Sequence, residues 1–425
     1  MIKFKPIEKQ ILLIFIITLI SGALRKWVFT SGNTGNIILS LQLLLPFLFS
    51  IYYQGFTLLR KENIFKFYFL FLLILAFNPL NLTIFHGIFG IILHLGFWWL
   101  LGYYYSNRFF IDIRPVIPWV ILFCTIEIVL GFVQYQLPAD HILNKYAAIN
   151  QLGENQTVAL VGSSVRITGT FSYISGYTAF LIFAILFIWA LIRADYNYRI
   201  ISFLLSGTLI AALMTGSRSC VFLTAIFLLL IIFSEFTIDT IKIFLKSLIS
   251  PVLFLILLFL AKGSVGIEKI FDNAYSNFDE RRTVNAQSGE QNQRILGDIQ
   301  ELFVDYRGNY PFFGVGLGST YQGATSVFGI SDYVKEYGYY ENELPRIVLE
   351  GGFFLLFVRI SLFIWLLSWL EFNSLSKIIL FIVFIYSIPI VFNIYNSIFL
   401  ALGIIFLDNI SIHRRLVGSI KYNNI

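Results

Sequence analysis

The sequence predicts an all-α membrane protein of about 12 transmembrane helices, with one large extracytoplasmic loop between helices 9 and 10. Three observations predict it. Hydrophobic residues make up 58% of the 425 and charged residues only 13%, about half of the roughly 25% carried by a soluble globular chain. The apolar residues come in blocks of roughly 17 to 25, the length that crosses a hydrocarbon core, and the charges fall mostly in the joints between blocks. A transmembrane β-barrel would instead show alternating segments of about ten residues, a pattern this chain lacks.

Taken in order, the blocks place spans at residues 10–28, 37–53, 65–80, 85–103, 116–135, 174–192, 200–214, 220–233, 244–261, 347–370, 378–392 and 395–407. The first follows MIKFKPIEKQ, and no small-residue cleavage site comes before SGALRKWVF, so a retained helix is expected rather than a signal peptide. The second to fifth are separated by short joints holding Arg60, Lys61, Arg108 and Arg114. The sixth begins after the polar stretch 136–173, and the turn TGSRS joins the seventh to the eighth. Before the ninth, Glu235, Asp239, Lys242 and Lys246 lie at helical spacing with apolar residues between them, the pattern of an interfacial amphipathic helix. The last two are short and separated by Asn393, with Pro389 just before it, which predicts a tight or kinked hairpin. The chain thus divides into a bundle of nine helices (1–261), the large loop (262–346), and helices 10–12 with a cytoplasmic tail (347–425).

Charge bias orients the bundle. With the amino terminus inside, the cytoplasmic joints and ends hold Lys3, Lys5, Lys9, Arg60, Lys61, Arg108, Arg114, Arg414 and Arg415, whereas the short outer segments hold Arg25, Lys26, Lys145, Arg166 and Arg218. This is the positive-inside pattern, and it predicts both termini in the cytoplasm and loops 136–173 and 262–346 outside the cytoplasmic (inner) membrane. The net charge of +6 and pI near 9.1 would suggest a nucleic-acid partner in a soluble protein, but these cations sit at loop ends and the membrane accounts for them. No nucleic acid is expected. The two cysteines, Cys124 and Cys220, both fall in apolar blocks and say nothing of redox compartment.

Few residues point to chemistry. The histidines His86, His94, His141 and His413 have no zinc-type spacing, and no HExxH occurs, so no metal site is expected. The alternate glycines Gly314, Gly316 and Gly318 look like a nucleotide loop but have no βαβ context, and no cofactor is expected. Arginines at the outer face are more informative. Arg25 ends the first span in LRKWVF, Arg166 precedes the sixth, and Arg218 opens the eighth. A guanidinium fork chelates phosphate or carboxylate, so an anionic ligand is one reading, and snorkelling to lipid phosphates is the other. Glu350, in the first turn of the tenth span, is placed to pair with Arg346 one turn earlier. Glu127 and Arg359 lie deep in spans, where each costs about 2.5 to 3.5 kcal/mol or more; a structural pair and a polar wall around a ligand are equally open. The tyrosines from Tyr306 to Tyr340 suit sugar stacking or a membrane interface.

RITGTFSYISGYTAF from Arg166, TGSRS from Thr215, Arg294 upstream of YPFFGVGLG, and ENELPRIVLEGG from Glu341 occur in that order. Together they resemble the O-antigen polymerase and O-antigen ligase family over residues 164–354, and LRKWVF resembles a feature of its exopolysaccharide polymerases. The resemblance implies a polytopic helical fold like the C-type glycosyltransferases. It implies transfer of a glycan from an undecaprenyl-diphosphate donor to an acceptor hydroxyl at the outer face, without metal or nucleotide. Partners implied are that lipid-linked glycan, membrane lipids and a chain-length regulator. Such a transfer needs cations on the departing diphosphate, for which Arg166, Arg218 and Arg294 are expected, and a base for the acceptor proton. Glu341, with Asn342 beside it, stands where the ligases carry His-Asn; base and solvated loop carboxylate are its two readings. Arg294 and Glu341 are thus the expected catalytic residues, with Asn342, Arg25, Arg346 and Glu350 as further substrate contacts. A polymerase is expected, with an O-antigen ligase as the alternative. A transporter or flippase fits less well, because such proteins show pseudo-symmetric halves with short outer loops.

Overall fold

The computed structural model describes residues 5–30, 32–54, 63–149, 155–158, 160–161, 164–234, 242, 244–249, 311–337, 343–370 and 372–422. The helices are α1 (Pro6–Ala23) with a π-helical turn (Leu24–Val28), α2 (Gly32–Gln54), α3 (Asn63–Ala76), α4 (Ile84–Asn107), α5 (Ile117–Gln136), α6 (Ile174–Arg193), α7 (Tyr198–Met214), α8 (Arg218–Ser234), α9 (Gln322–Phe328), α10 (Asp332–Tyr337), α11 (Glu343–Trp369), α12 (Ser374–Ile382) with a second π-helical turn (Val383–Ser387), and α13 (Ile394–Tyr422). Among the described residues six helical stretches are long and apolar enough to cross a membrane: Pro6–Val28, Ile84–Asn107, Arg114–Gln136, Ile174–Arg193, Glu343–Trp369 and Ile394–His413. Shorter apolar helices cover Ile37–Leu48, Phe65–Ala76, Tyr198–Met214, Arg218–Ser234 and Ser374–Ser387. Of the expected ninth span only residues 244–249 are described, and of the large loop only 311–337 and 343–346. Of the amphipathic stretch before the ninth span, Lys242 and Lys246 are among the described residues, whereas Glu235 and Asp239 lie outside them. Among the described residues of 136–173, two short antiparallel pairs form: β1 (Lys145–Ile149) with β2 (Asn155–Thr157), and β3 (Leu160–Val161) with β4 (Ser164–Val165).

Burial is inside-out. Along α5, Trp119, Leu122, Ile126, Val129 and Val133 are exposed, while Glu127 and Gln134 are buried. Along α11, Phe353, Phe354, Phe357 and Ile364 are exposed, while Glu343, Glu350 and Arg359 are buried. A soluble helix does the reverse. Apolar stripes of this extent on a helix are stable only against lipid or another protein, and with the six long apolar helices they define a membrane-embedded protein.

The chain forms two compact units. The first takes the described residues of Met1–Gln42, Asn107–Glu280 and Ile398–Ile425. Its axis is α6, buried from Ala179 to Arg193, as expected of a helix apolar on every side. Phe183 meets Phe15 of α1 and Phe399 of α13 with centroids 5.1 and 5.5 Å apart, and Phe187 meets Phe406 at 5.3 Å. Gly207 of α7 lies against Ile128 of α5, and Gly403 of α13 against Leu186 of α6, the close approach that small residues allow between membrane helices. The connection from α4 to α5 is held by Asn409 of α13: its Oδ1 accepts from Ile113 N at 3.1 Å and its amide donates to Ile111 O at 3.0 Å.

The second unit takes the described residues of Leu43–Ser106 and Arg281–Ser397. Here α11 breaks at Gly352, whose φ of 70° a side chain rarely adopts and whose missing Cβ makes room for the carbonyl of Phe312. The expected break around Pro389 and Asn393 is present as a non-helical stretch at 388–393. Asn393 Oδ1 then caps α13, accepting from Tyr395 N and Asn396 N at 3.1 and 3.3 Å.

Candidate functional site

In the first unit, polar residues gather around RITGTFS. The π-helical turn at the end of α1 carries LRKW, and three successive side chains grip Ile142 and residues 168–172. Arg25 Nη1 donates to Ser172 Oγ at 3.0 Å, Lys26 Nζ to Thr168 Oγ1 at 2.8 Å and Gly169 O at 2.9 Å, and Trp27 Nε1 to Ile142 O at 3.0 Å. A π turn inserts one residue into the helical spiral and so re-aims its side chains, and such turns occur often at functional sites. From the opposite side α5 supplies Gln134, whose Oε1 accepts from Thr168 N and Gly169 N at 3.1 and 2.7 Å, and Glu127, whose carboxylate accepts from Thr170 N and Oγ1 at 3.1 and 2.5 Å. The backbone of 170–172 presses onto Gly22 of α1, where a Cβ would stand 2.6 Å from Phe171 Cα and Ser172 N.

TGSRS is a helix stop followed by a start. Thr215 ends α7, Gly216 N donates to Leu213 O at 3.2 Å, and Ser217 Oγ accepts from Cys220 N at 3.3 Å to cap α8. Arg218 is therefore the first residue of α8. A cation at the positive end of the helix dipole is unfavourable by about 0.3 to 1 kcal/mol unless an anion sits with it. Arg166 joins the two motifs, since its Nε donates to Thr215 O at 3.0 Å.

In the second unit the glycine run folds into the break of α11. Gly314, Gly316 and Gly318 have φ of 68°, 110° and 75°, so each alternate residue must be glycine. Val315 N and Gly316 N donate to Leu349 O and Glu350 O at 2.8 and 3.1 Å. Gly318 N donates to Glu350 Oε2 at 2.8 Å and Thr320 N to Oε1 at 3.0 Å. On the carbonyl side, Asn78 donates to Gly314 O at 2.8 Å and Asn81 to Leu317 O at 3.0 Å. These four amides, which a nucleotide loop would turn on a phosphate, are engaged within the protein. Glu350 also accepts from Thr320 Oγ1 at 2.6 Å and bonds His94 Nε2 at 2.9 Å.

Arg346 and Glu350 meet through Thr320. Arg346 Nη2 donates to Thr320 O at 2.7 Å and Nε to Thr320 Oγ1 at 3.3 Å, with its guanidinium 3.8 Å over the ring of Phe392. Arg359 Nη2 pairs with Glu343 Oε1 at 2.8 Å, both buried, and Glu343 Oε2 accepts from Val391 N at 2.8 Å. Of the two deep charges flagged in the sequence, Arg359 thus has Glu343 as its partner and Glu127 has Thr170. The structure places Arg25, Arg166, Arg218, Arg346 and Glu350; Arg294, Glu341 and Asn342 lie outside the described residues. Sequence reasoning missed Gln134, Thr320 and the role of His94, although a polar residue inside an apolar span is itself a signal. Among the described residues no three His, Cys, Asp or Glu side chains converge as a metal site would require.

No family model, curated protein or solved structure gives a significant match to this chain. The fold and its two buried polar clusters define a class, a polytopic helical membrane protein.

Proposed function

We propose that the chain is a membrane glycan polymerase, joining undecaprenyl-diphosphate-linked oligosaccharide repeats into O-antigen or exopolysaccharide at the outer face of the cytoplasmic membrane. In this reading it spans the membrane twelve times with both termini in the cytoplasm. The supporting observation is that the sequence segments carrying the family resemblance fold together two by two. Arg166 of RITGTFS binds the Thr215 carbonyl of TGSRS, and the glycine run is bound into LEGG through Glu350.

The chemistry assigned is a single displacement. The acceptor hydroxyl oxygen bonds to the anomeric carbon, the bond from that carbon to the diphosphate oxygen breaks, and the diphosphate leaves with both electrons. Arg166, Arg218 and Arg294 stabilise the charge on the leaving group, and Glu341, with Asn342 orienting the acceptor, takes the proton.

The deciding measurement is the state of lipid-linked glycan in a deletion strain. Single repeats accumulating on undecaprenyl diphosphate at the outer face are expected. Full-length chains left unattached would make the protein a ligase, and single repeats trapped at the inner face would make it a flippase.

A further inference from the structure

Glu350 is buried, and both its oxygens are taken up by the protein. Oε1 accepts from Thr320 N and Oγ1, and Oε2 from Gly318 N and the imidazole of His94. A carboxylate enclosed in this way acts on a ligand only through a neighbour. Thr320 is that neighbour. A hydroxyl has one proton, and the 2.6 Å contact to a carboxylate assigns it to Glu350. The Thr320 oxygen is thereby fixed as an acceptor, and the Arg346 Nε–H points at it. The carbonyl of the same residue holds Nη2, so Thr320 binds two positions of the fork and sets the plane of the guanidinium.

The same plane is held from the other side. Phe392 lies face-on beneath Arg346, and its ring also meets that of His94 edge-on, 5.6 Å between centroids. Phe392 is the next residue after Val391, whose N–H is fixed by Glu343. A planar fork held by two hydrogen bonds and a stacked ring is fixed in one plane, so its ordering entropy is already lost before a phosphate group arrives.

We propose that Glu350, held by His94, is a positioning residue: acting through Thr320, it orients Arg346 toward the diphosphate of the lipid-linked donor. This rests on the functional reading above. It reassigns Glu350 from substrate contact to support and gives Arg346 the diphosphate.

The test uses full-length protein in lipid nanodiscs with undecaprenyl diphosphate as probe, comparing wild type, Thr320→Val, Thr320→Ser, Arg346→Ala and the Thr320→Val/Arg346→Ala double variant at matched thermal stability. Valine keeps the shape, backbone amide and carbonyl but removes the hydroxyl. Thr320→Val is expected to weaken binding about tenfold, the scale of one hydrogen bond to a charged group. Thr320→Ser should bind close to wild type, and in the Arg346→Ala background Thr320→Val should cost nothing further, because both act through one guanidinium. Equal losses from Thr320→Val in both backgrounds, no rescue by serine, or wild-type binding by Arg346→Ala would each overturn the inference while leaving the polymerase reading in place. Absence of binding by the wild-type protein would overturn the polymerase reading itself, and this inference with it.

Discussion

Lysine in place of Arg166 or Arg218 keeps the charge and removes the planar fork, so it separates chelation from anchoring. Arg166 additionally needs Nε for Thr215 O, an atom lysine does not supply at that reach. Both lysine variants are expected to lose at least about tenfold in chain extension from lipid-linked repeats at matched membrane abundance; unimpaired extension by both would reduce these arginines to helix anchors. Magnitudes rank a second pair. Asp112 and Arg114 contact at 2.6 Å but are 24% and 55% exposed, and exposed pairs contribute about 0 to 1 kcal/mol. Asn409 is fully buried with its oxygen and amide both engaged, and stranding each partner costs about 1 to 3 kcal/mol. Asn409→Leu should therefore lower the melting temperature well beyond Asp112→Asn. Burial raises the Asp112 carboxyl, but the hydrogen bonds and charge of Arg114 outweigh it and hold the group below its ordinary range. Its small contribution is present above the unfolded carboxylate pKa and is lost as pH falls through the folded one, so wild type and Asp112→Asn should converge in acid. At this scale Arg25, Arg166 and Arg218 could be singled out in the sequence, because they run against the positive-inside trend of the expected topology. The partners of Arg166, Arg25 and Arg346 could not: Thr215 O, Ser172 Oγ and Thr320 are a carbonyl and two hydroxyls, which carry no mark in a sequence.

Among the described residues most apolar blocks coincide with helices to within a few residues, since burial of the backbone in lipid leaves helix as the only continuous option; the last block, 395–407, falls short of a helix that runs on to Tyr422. What the blocks did not mark is where a helix departs from regularity. The π turn at Leu24–Val28 and the break of α11 at Gly352 are set by what packs against them, and those partners lie far away in the chain. Pro389 and Asn393 were the exception, a local stop visible in the residues themselves. Gly22 tests the packing of α1 on RITGTFS. A Cβ there meets backbone atoms of Phe171 and Ser172 at 2.6 Å, and backbone cannot swing aside as a side chain can. Gly22→Ala is expected to destabilise the protein by about 1 to 3 kcal/mol, read as a drop in melting temperature in detergent, and a neutral result would mean that residues 170–172 do not pack on α1.

For the molecule as a whole, the composition declared the membrane and the structure supplied the reason polar residues survive in it: on helices such as α5 and α11 they face inward while the exposed stripe is apolar. The proposed orientation has its own test. Cys124 and Cys220 are each 1% exposed, so an impermeant thiol reagent reads chiefly an introduced cysteine. Ser331 is buried and its Oγ accepts from Val334 N at 3.3 Å, which makes exposed Glu336 the better position. Glu336→Cys should label in intact spheroplasts and Ser374→Cys only after the membrane is opened; the reverse pattern would invert the topology and sink the assignment of chemistry to the outer face. The glycine run also has a consequence for biosynthesis. Asn78, Asn81, His94 and residues 314–320 all leave the ribosome before Glu350, yet it is Glu350 that takes up the Gly318 and Thr320 amides, the Thr320 hydroxyl and the His94 ring. A nascent chain halted short of residue 350 therefore leaves these donors without their acceptor, and the first half of α11 is the piece that supplies it. Truncated products should be marked for membrane proteolysis by that one missing carboxylate.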